Sequence, residues 1–241
     1  MTKWLFVGPQ LLAGIGQVTK QYADLLDAEY CEVGQHPKET SYDRGFAFVL
    51  PIAQQLDMFD QYKQFSPRWM HMTVCETEPV NDCYGLLARY KEMWIPSEFS
   101  RSRLEKQFPH IQWKLLRHWS ETKVPRPPAP TTPYVFYTIG NVLDPRKNIR
   151  GLIDAYLRCN FGDAAHLVLK ATCNRPVSWK VPGVTVIQGL LSVEELEGVH
   201  ARGHCYVNCS HSEGVGMGAV EAALRNKPVV IADYGGLQEY V

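Results

Sequence analysis

Between Ser210 and Ala223 the chain reads Ser-His-Ser-Glu-Gly-Val-Gly-Met-Gly-Ala-Val-Glu-Ala-Ala, so two carboxylates, Glu213 and Glu221, bracket three glycines. Were the whole interval helical, eight steps of about 100° would leave the two acids roughly 80° apart, on different faces. A reading that uses both acids puts Glu213 before a helix. Gly214, Gly216 and Gly218 then permit unusual backbone angles and close approach of a ligand, and Ala219 to Arg225 is helical. The helix start offers unpaired N–H groups and the positive end of its dipole to an anion such as a diphosphate. Glu221, about one turn inside, can accept hydrogen bonds from sugar hydroxyls. Judged by the glycines alone, the alternative is a turn capping an ordinary helix, with Glu213 a solvated first-turn acid.

Two other junctions have the same character. Asp144-Pro145-Arg146-Lys147-Asn148 follows the strand-like run 134–140 and precedes the apolar-periodic run 149–157, so cations stand between a strand and a helix. Tyr234-Gly235-Gly236 follows the buried-type strand 228–232. If these strands run parallel, all three turns lie beyond their carboxyl ends on one rim, where open α/β sheets bind ligands.

The elements that must position these turns alternate along the whole chain. Strand-like runs at 4–7, 46–50, 70–75, 93–95 and 112–116 are interleaved with helical patterns at 17–28, 53–64, 82–90 and 99–107, which implies a parallel sheet. Residues 125–133 then hold five prolines in nine positions, a composition that forbids helix and favours an extended spacer. A second alternating set follows, with strands near 134–139, 166–170, 185–188, 204–208 and 228–232. The expected organisation is a Rossmann-like domain over 1–122, a proline-rich linker over 123–133 and a second Rossmann-like domain over 134–241, with a cleft between the domains.

At 241 residues and 45% apolar content the chain can bury two cores. Formal charge is zero and the pI is near 7.1, so no global field draws it to nucleic acid or to anionic membrane. Residues 4–7 pass straight into a glycine-containing turn, which reads as a first strand and not a signal peptide, and no apolar stretch reaches about 18 residues, so no membrane span is expected. Cysteines 31, 75, 83, 159, 173, 205 and 209 are odd in number and lack Cys-x-x-Cys spacing, which reads as reduced thiols of a cytoplasmic protein. Cys205 and Cys209 with His204 and His211 form a weak zinc pattern, because Cys205 falls inside an apolar strand.

Residues 134–241 resemble family 4 glycosyltransferases, retaining enzymes of GT-B fold that use nucleotide sugars. Four stretches carry the resemblance: Thr138-Ile-Gly-Asn-Val-Leu-Asp-Pro-Arg-Lys-Asn with Ala155-Tyr156; Val186-Ile-Gln-Gly-Leu-Leu-Ser-Val-Glu-Glu-Leu; the Glu213 to Glu221 segment; and Lys227-Pro-Val-Val-Ile-Ala-Asp-Tyr-Gly-Gly-Leu-Gln-Glu. The order and separation of the four, more than the spacing of the two glutamates, make the match specific. The first half is less similar, contributing Gly14-Ile-Gly16 and Met93-Trp-Ile-Pro-Ser-Glu-Phe-Ser-Arg. The resemblance implies that Lys147 contacts the donor diphosphate with Arg146 as helper, that Glu213 lies beside the donor sugar, and that Glu221 holds the ribose hydroxyls. It further implies a phosphate cradle in the backbone of Gly214, Val215, Gly216, Met217 and Gly218, a nucleobase loop at Gly189 and Leu190, and a diphosphate-facing loop at Gly14 and Gly16. Asn141 stands where many members carry an arginine, and members usually continue past Glu239 with a further strand and a long helix.

The expected activity is therefore retaining, metal-independent transfer of a sugar from a UDP- or GDP-sugar to a hydroxyl acceptor, with no cofactor. His71, Glu76 and Glu78 are the acceptor-side candidates; for His71 the competing reading is a buried structural histidine. Other readings are a nucleotide-sugar-binding protein without turnover and a glycosyltransferase acting on modified DNA bases, the latter disfavoured by the neutral charge. A further rival is another Rossmann-type enzyme, an epimerase or a dinucleotide-dependent oxidoreductase; against the latter, Gly8 to Gly16 does not give Gly-x-Gly-x-x-Gly after the first strand.

Overall fold

The structure, a computed structural model, describes residues 2–11, 14–120, 132–173 and 175–241. The chain divides into two compact units, Met1–His118 and Trp119–Val241. The expected proline linker lies, apart from Thr132 and Pro133, outside the described residues.

In the first unit, strands β1 (Trp4–Gly8), β2 (Glu29–Glu32), β3 (Arg44–Phe48), β4 (Trp69–Met72), β5 (Glu92–Ile95) and β6 (Gln112–Leu115) form one sheet in the order β2-β1-β3-β4-β5-β6, every pair parallel. Parallel neighbours need crossovers. These are α1 (Gly14–Leu25), α2 (Ala53–Asp60) and α3 (Glu98–Gln107), together with 3₁₀ helices at Gln61–Phe65 and Asp82–Arg89. Leu5, Val7, Val49, Leu56, Met93, Ile95 and Leu104 are fully buried at the centre of this unit.

Three details depart from the sequence reading. The edge strand β2 goes unrecognised in the sequence because Glu-Tyr-Cys-Glu offers one buried apolar side chain, Cys31, between two acids. The helix expected over 82–90 is a 3₁₀ helix, and the one expected over 53–64 tightens to 3₁₀ after Asp60. Apolar spacing of three and four residues does not separate the two helix types over so short a span.

In the second unit, β7 (Tyr134–Gly140), β8 (Ala165–Ala171), β9 (Val184–Ile187), β10 (Cys205–Asn208) and β11 (Val229–Ile231) form a parallel sheet in the order β11-β10-β7-β8-β9. The helices are α4 (Ile149–Cys159), α5 (Val193–Arg202) and α6 (Met217–Leu224). One face of the sheet packs Leu152, Leu167 and Leu169 with Tyr156; the other packs Tyr137, Tyr206, Val199 and Ala219. Ser192 opens α5 with a capping box, its hydroxyl accepting from the Glu195 N–H while the Glu195 carboxylate accepts from the Ser192 N–H.

The strand order reverses between β7 and β10: from β7 the chain moves outward to β8 and β9, then returns to the other side of β7. Such a reversal opens a crevice beyond the carboxyl ends of the two strands. The Lys147 turn follows β7, the Glu213 turn follows β10 and the Gly235 turn follows β11, so the three turns leave three adjacent strands at the same edge. No helix among the described residues is long and apolar enough to cross a membrane. All seven cysteines are free thiols.

Candidate active site

The three turns meet on Glu213. Its side chain is buried, 4% exposed, which removes the reading of a solvated first-turn acid. Oε1 accepts from Lys147 Nζ at 2.6 Å, Ser210 Oγ at 2.7 Å and Asn208 Nδ2 at 3.2 Å, whereas among the described residues Oε2 meets the more distant Arg146 Nη1 at 3.5 Å. Burial alone pushes the carboxyl upward. The Lys147 charge and hydrogen bond, the Ser210 hydroxyl and the Arg146 charge outweigh it and hold Glu213 below its ordinary value, so it is a carboxylate at neutral pH. The outcome is an anion with one oxygen saturated and the other less engaged, facing two cations.

The surrounding backbone is cross-linked. Arg146 Nη1 donates to the Ser212 carbonyl at 2.9 Å, the His211 N–H donates to the Arg146 carbonyl at 2.8 Å, and Asn148 Nδ2 donates to the Cys209 carbonyl at 3.2 Å. The Gly236 N–H donates to the Glu213 carbonyl at 2.8 Å, which brings in the third turn. Asp144 caps the Pro145–Lys147 3₁₀ turn by accepting from the Arg146 N–H at 2.9 Å, and its carboxylate also pairs with Arg146 at 3.3 Å. Arg146 therefore ties the two loops together, and Lys147 carries its ammonium onto Glu213.

The glycines divide their duties differently from the sequence reading. Gly216 takes the left-handed backbone (φ 74°), and a Cβ there would stand 2.7 Å from Leu237. Gly218 already lies inside α6, which starts at Met217 and not at Ala219; its lack of a side chain accommodates the Tyr206 hydroxyl, which a Cβ would approach to 2.2 Å. Among the described residues no side chain caps the α6 N-terminus at Gly216; the Ala219 N–H already donates to the Gly216 carbonyl at 3.0 Å, so the N–H groups of Met217 and Gly218 are the ones offered to an anion. Gly214 and Val215 are buried, and the Val215 and Met217 side chains pack in the core beneath the turn. Glu221 projects from α6, with Oε2 3.6 Å from Nε2 of the fully buried His200.

The other sequence candidates are placed as follows. Asn141 builds the turn after β7, its Oδ1 accepting from the Leu143 N–H at 3.1 Å. Gly189 is left-handed (φ 86°) with open space around it, and Leu190 is 78% exposed, at the end of β9. Gly14 begins α1 and Gly16 lies in its first turn; a Cβ on Gly16 would stand 2.3 Å from the Gln10 carbonyl oxygen, so Gly16 packs directly against that backbone. His71 stacks on Tyr90 with ring centroids 4.0 Å apart, and burial followed by the Lys63 charge lowers its pKa to about 4. Glu78 pairs with Arg103 at 2.9 Å, and Glu76 is half-buried in the same turn.

Two groups of functional interest escaped the sequence reading. Asn208 and Ser210 fix the Glu213 carboxylate, and the one available signal was a polar residue closing an otherwise apolar strand. Lys170, 3% exposed at the end of β8, donates to the Ala171 and Gly189 carbonyls at 2.6 and 2.8 Å and so pins the 189–190 loop; burial lowers its pKa. Among the described residues no group of three or more His, Cys, Asp or Glu side chains is arranged to hold a metal ion.

No protein-family model matches the sequence, and no curated protein matches it. Solved structures do. A TarM variant from S. aureus in complex with fondaparinux, α-GlcNAc-glycerol and UDP superposes with a TM-score of 0.59 at 15% identity over 79% of this chain and 42% of TarM. The pneumococcal O-GlcNAc transferase GtfA in complex with UDP and GlcNAc gives 0.58 at 13% identity over 79% and 42%. Sucrose-phosphate synthase from Thermosynechococcus elongatus gives 0.63 at 15% identity over 93% and 61%. These neighbours are glycosyltransferases of GT-B fold, and the likeness to them is one of fold. The chain spans about two fifths of the length of TarM and GtfA.

Proposed function

We propose that this protein is a nucleotide-sugar-dependent glycosyltransferase that transfers a sugar, with retention, to a hydroxyl acceptor. The observation that carries this reading is the convergence of Lys147, Arg146 and the uncapped start of α6 on a buried, ionised Glu213 at the strand-order reversal. A diphosphate leaving group develops negative charge as the glycosidic bond breaks, and fixed cations and N–H dipoles beside it stabilise that charge without reorganising. In this reading Lys147 exchanges its contact with Glu213 for the diphosphate, and the N–H groups following Gly216 bind the second phosphate.

Glu213 acts as a fixed anion. With Asn208 and Ser210 on Oε1, its Oε2 accepts from hydroxyls of the donor sugar or faces positive character at the anomeric carbon. An ionised acid so surrounded is a poor proton donor, which is consistent with same-face attack assisted by the leaving phosphate and not with a glycosidase-like acid pair. Glu221 takes the ribose hydroxyls and the 189–190 loop lies by the base. Glu76 and Glu78 are the acceptor-side groups. The resemblance to family 4 and the fold shared with UDP-bound neighbours both support this assignment.

Calorimetric titration with UDP- and GDP-sugars, followed by hydrolysis and transfer assays, tests it. Nucleotide release is expected to fall about 10²- to 10³-fold in Lys147→Ala, as when one preorganised donor is lost. Unchanged turnover in both Lys147→Ala and Glu213→Gln would refute these roles, and tight binding without turnover in the unmodified protein would reduce the function to binding.

A further inference from the structure

His200 on α5 is fully buried, and its ring stands edge-on to Tyr137 of β7. Its Nδ1 lies 2.9 Å from the Tyr137 hydroxyl. The other ring nitrogen, Nε2, is buried and has no hydrogen-bond partner among the described residues; it faces Glu221 Oε2 at 3.6 Å, just beyond bonding reach. A buried donor without a partner costs as much as a lost hydrogen bond, so this gap is one the folded protein gains by closing.

The helices on either side are already clamped. Arg225 Nη1 donates to the Glu221 carbonyl at 2.7 Å, and the same guanidinium pairs with Glu197 of α5, Nε to Oε2 at 2.9 Å. With α5 and α6 held together in this way, the 3.6 Å separation is one for the Glu221 side chain, rather than the helices, to close. The proton order is also fixed. Burial pushes the Tyr137 phenol upward, so it stays protonated and can donate to Nδ1. The imidazole hydrogen then sits on Nε2, directed at the carboxylate; the opposite tautomer would set a lone pair against it.

We propose that His200 is a positioning residue for Glu221: its Nε2–H holds one carboxylate oxygen so that the other faces the ribose hydroxyls, which makes the site select ribonucleotides over their deoxy forms. This rests on the assignment of Glu221 to the ribose.

The test measures calorimetric affinities for UDP and GDP beside their 2′,3′-dideoxy counterparts. The unmodified protein is expected to prefer the ribonucleotide, and Glu221→Gln to lose most of that preference. His200→Asn keeps a partner for Tyr137 but cannot reach Glu221; it is expected to reduce the preference about tenfold, as for one hydrogen bond to a charged group. His200→Gln, whose amide nitrogen reaches the Nε2 position, is expected to restore it to within about twofold. A preference lost in Glu221→Gln but intact in His200→Asn overturns the role of His200 alone. A preference unaffected by Glu221→Gln, or no binding of either nucleotide to the unmodified protein, removes the ribose assignment and this proposal with it. A ¹⁵N spectrum of the histidine rings in the unmodified protein needs no ligand and no variant: the Nε2–H tautomer is expected for His200, and the Nδ1–H tautomer overturns the proposal.

Discussion

Around Glu213 the second sheet ends in charges that hold one another, whereas two imidazoles of the first unit, the half-buried His71 and the buried His118, are packed against rings and kept neutral by loss of solvent, with the Lys63 charge adding to it at His71. His118 lies against Tyr22 and Phe48, with Nδ1 3.0 Å from the Tyr22 hydroxyl, and burial lowers its pKa to about 3. Both units are parallel sheets covered by helices, yet the second holds a buried ionised cluster, whereas the described ion pairs of the first, such as Arg103–Glu78, lie exposed. A site built from charge can act on a substrate's charge, and a region built from neutral rings chiefly supports packing. The difference can be broken or sharpened by experiment.

The largest effect is expected from removing one partner of the buried pair. Lys147→Met leaves Glu213 buried with its main counter-charge gone, and breaking such a pair typically destabilises by about 3–5 kcal/mol. Chemical denaturation should show a loss of that order, and Glu213→Gln added to Lys147→Met should recover part of it, because the orphaned charge is then gone. A double variant no more stable than Lys147→Met alone would mean that the pair is not coupled as the distances indicate.

The two units should also fail differently in acid. His118 and His71 have folded values below the ordinary histidine value of 6.5, so the unfolded chain binds more protons than the folded one between those limits. Their contribution is present above about pH 6.5 and is lost as pH falls from there towards 4 and then 3, at up to about 1.4 kcal/mol per pH unit for each histidine. Glu213 is a depressed carboxyl, so its contribution is present above the unfolded carboxylate value and is lost only as pH falls through the lower folded value. Hydrogen exchange from pH 7 to 4 should therefore show protection declining first in Met1–His118. An earlier decline around residues 208–218 would contradict the assigned charge states.

This contrast also explains what could be read from the residues alone. Glu213, Lys147 and Arg146 were legible because charges at strand-to-helix junctions of a parallel sheet all leave by one edge, and the strand pattern placed those junctions in register. Asn208, Ser210 and Lys170 were not, since an asparagine, a serine or a lysine at a strand end is commonplace, and its meaning depends on which loop folds back over it. In the first unit the functional cues are weaker still. Trp69-Met-His-Met leaves the direction of His71 open, and only the tertiary contact with Tyr90 shows that it stacks between β4 and the 3₁₀ helix over Asp82–Arg89. The helix start at Met217 was missed by two residues because three glycines in five positions hide which one breaks the chain.

A middle-sized effect belongs to that glycine. Gly216→Ala forces a side chain into left-handed backbone and towards Leu237, and such strain costs of order 1–3 kcal/mol. Thermal unfolding should register the loss. Nucleoside diphosphate affinity should fall further than the melting shift accounts for, because the same turn aims the first N–H groups of α6. Gly218→Ala is the comparison: its obstacle is the Tyr206 hydroxyl on the core side, so it should disturb packing at comparable cost.

The smallest effect is expected from an ion pair of the same chemistry in the first unit. Arg103 meets Glu78 at 2.9 Å, nearly as close as Lys147 meets Glu213 at 2.6 Å, but the Glu78 side chain is 51% exposed against 6% for Glu213. Water already solvates an exposed carboxylate, and salt screens it, so such pairs contribute about 0–1 kcal/mol. Glu78→Gln should shift stability by no more than that, and the shift should vanish in about 1 M salt, where the screening length is only a few ångströms. Lys147→Met should keep most of its cost in the same salt, because a pair removed from water is screened far less. Equal salt sensitivity in the two variants would show that burial is not what separates the two rims.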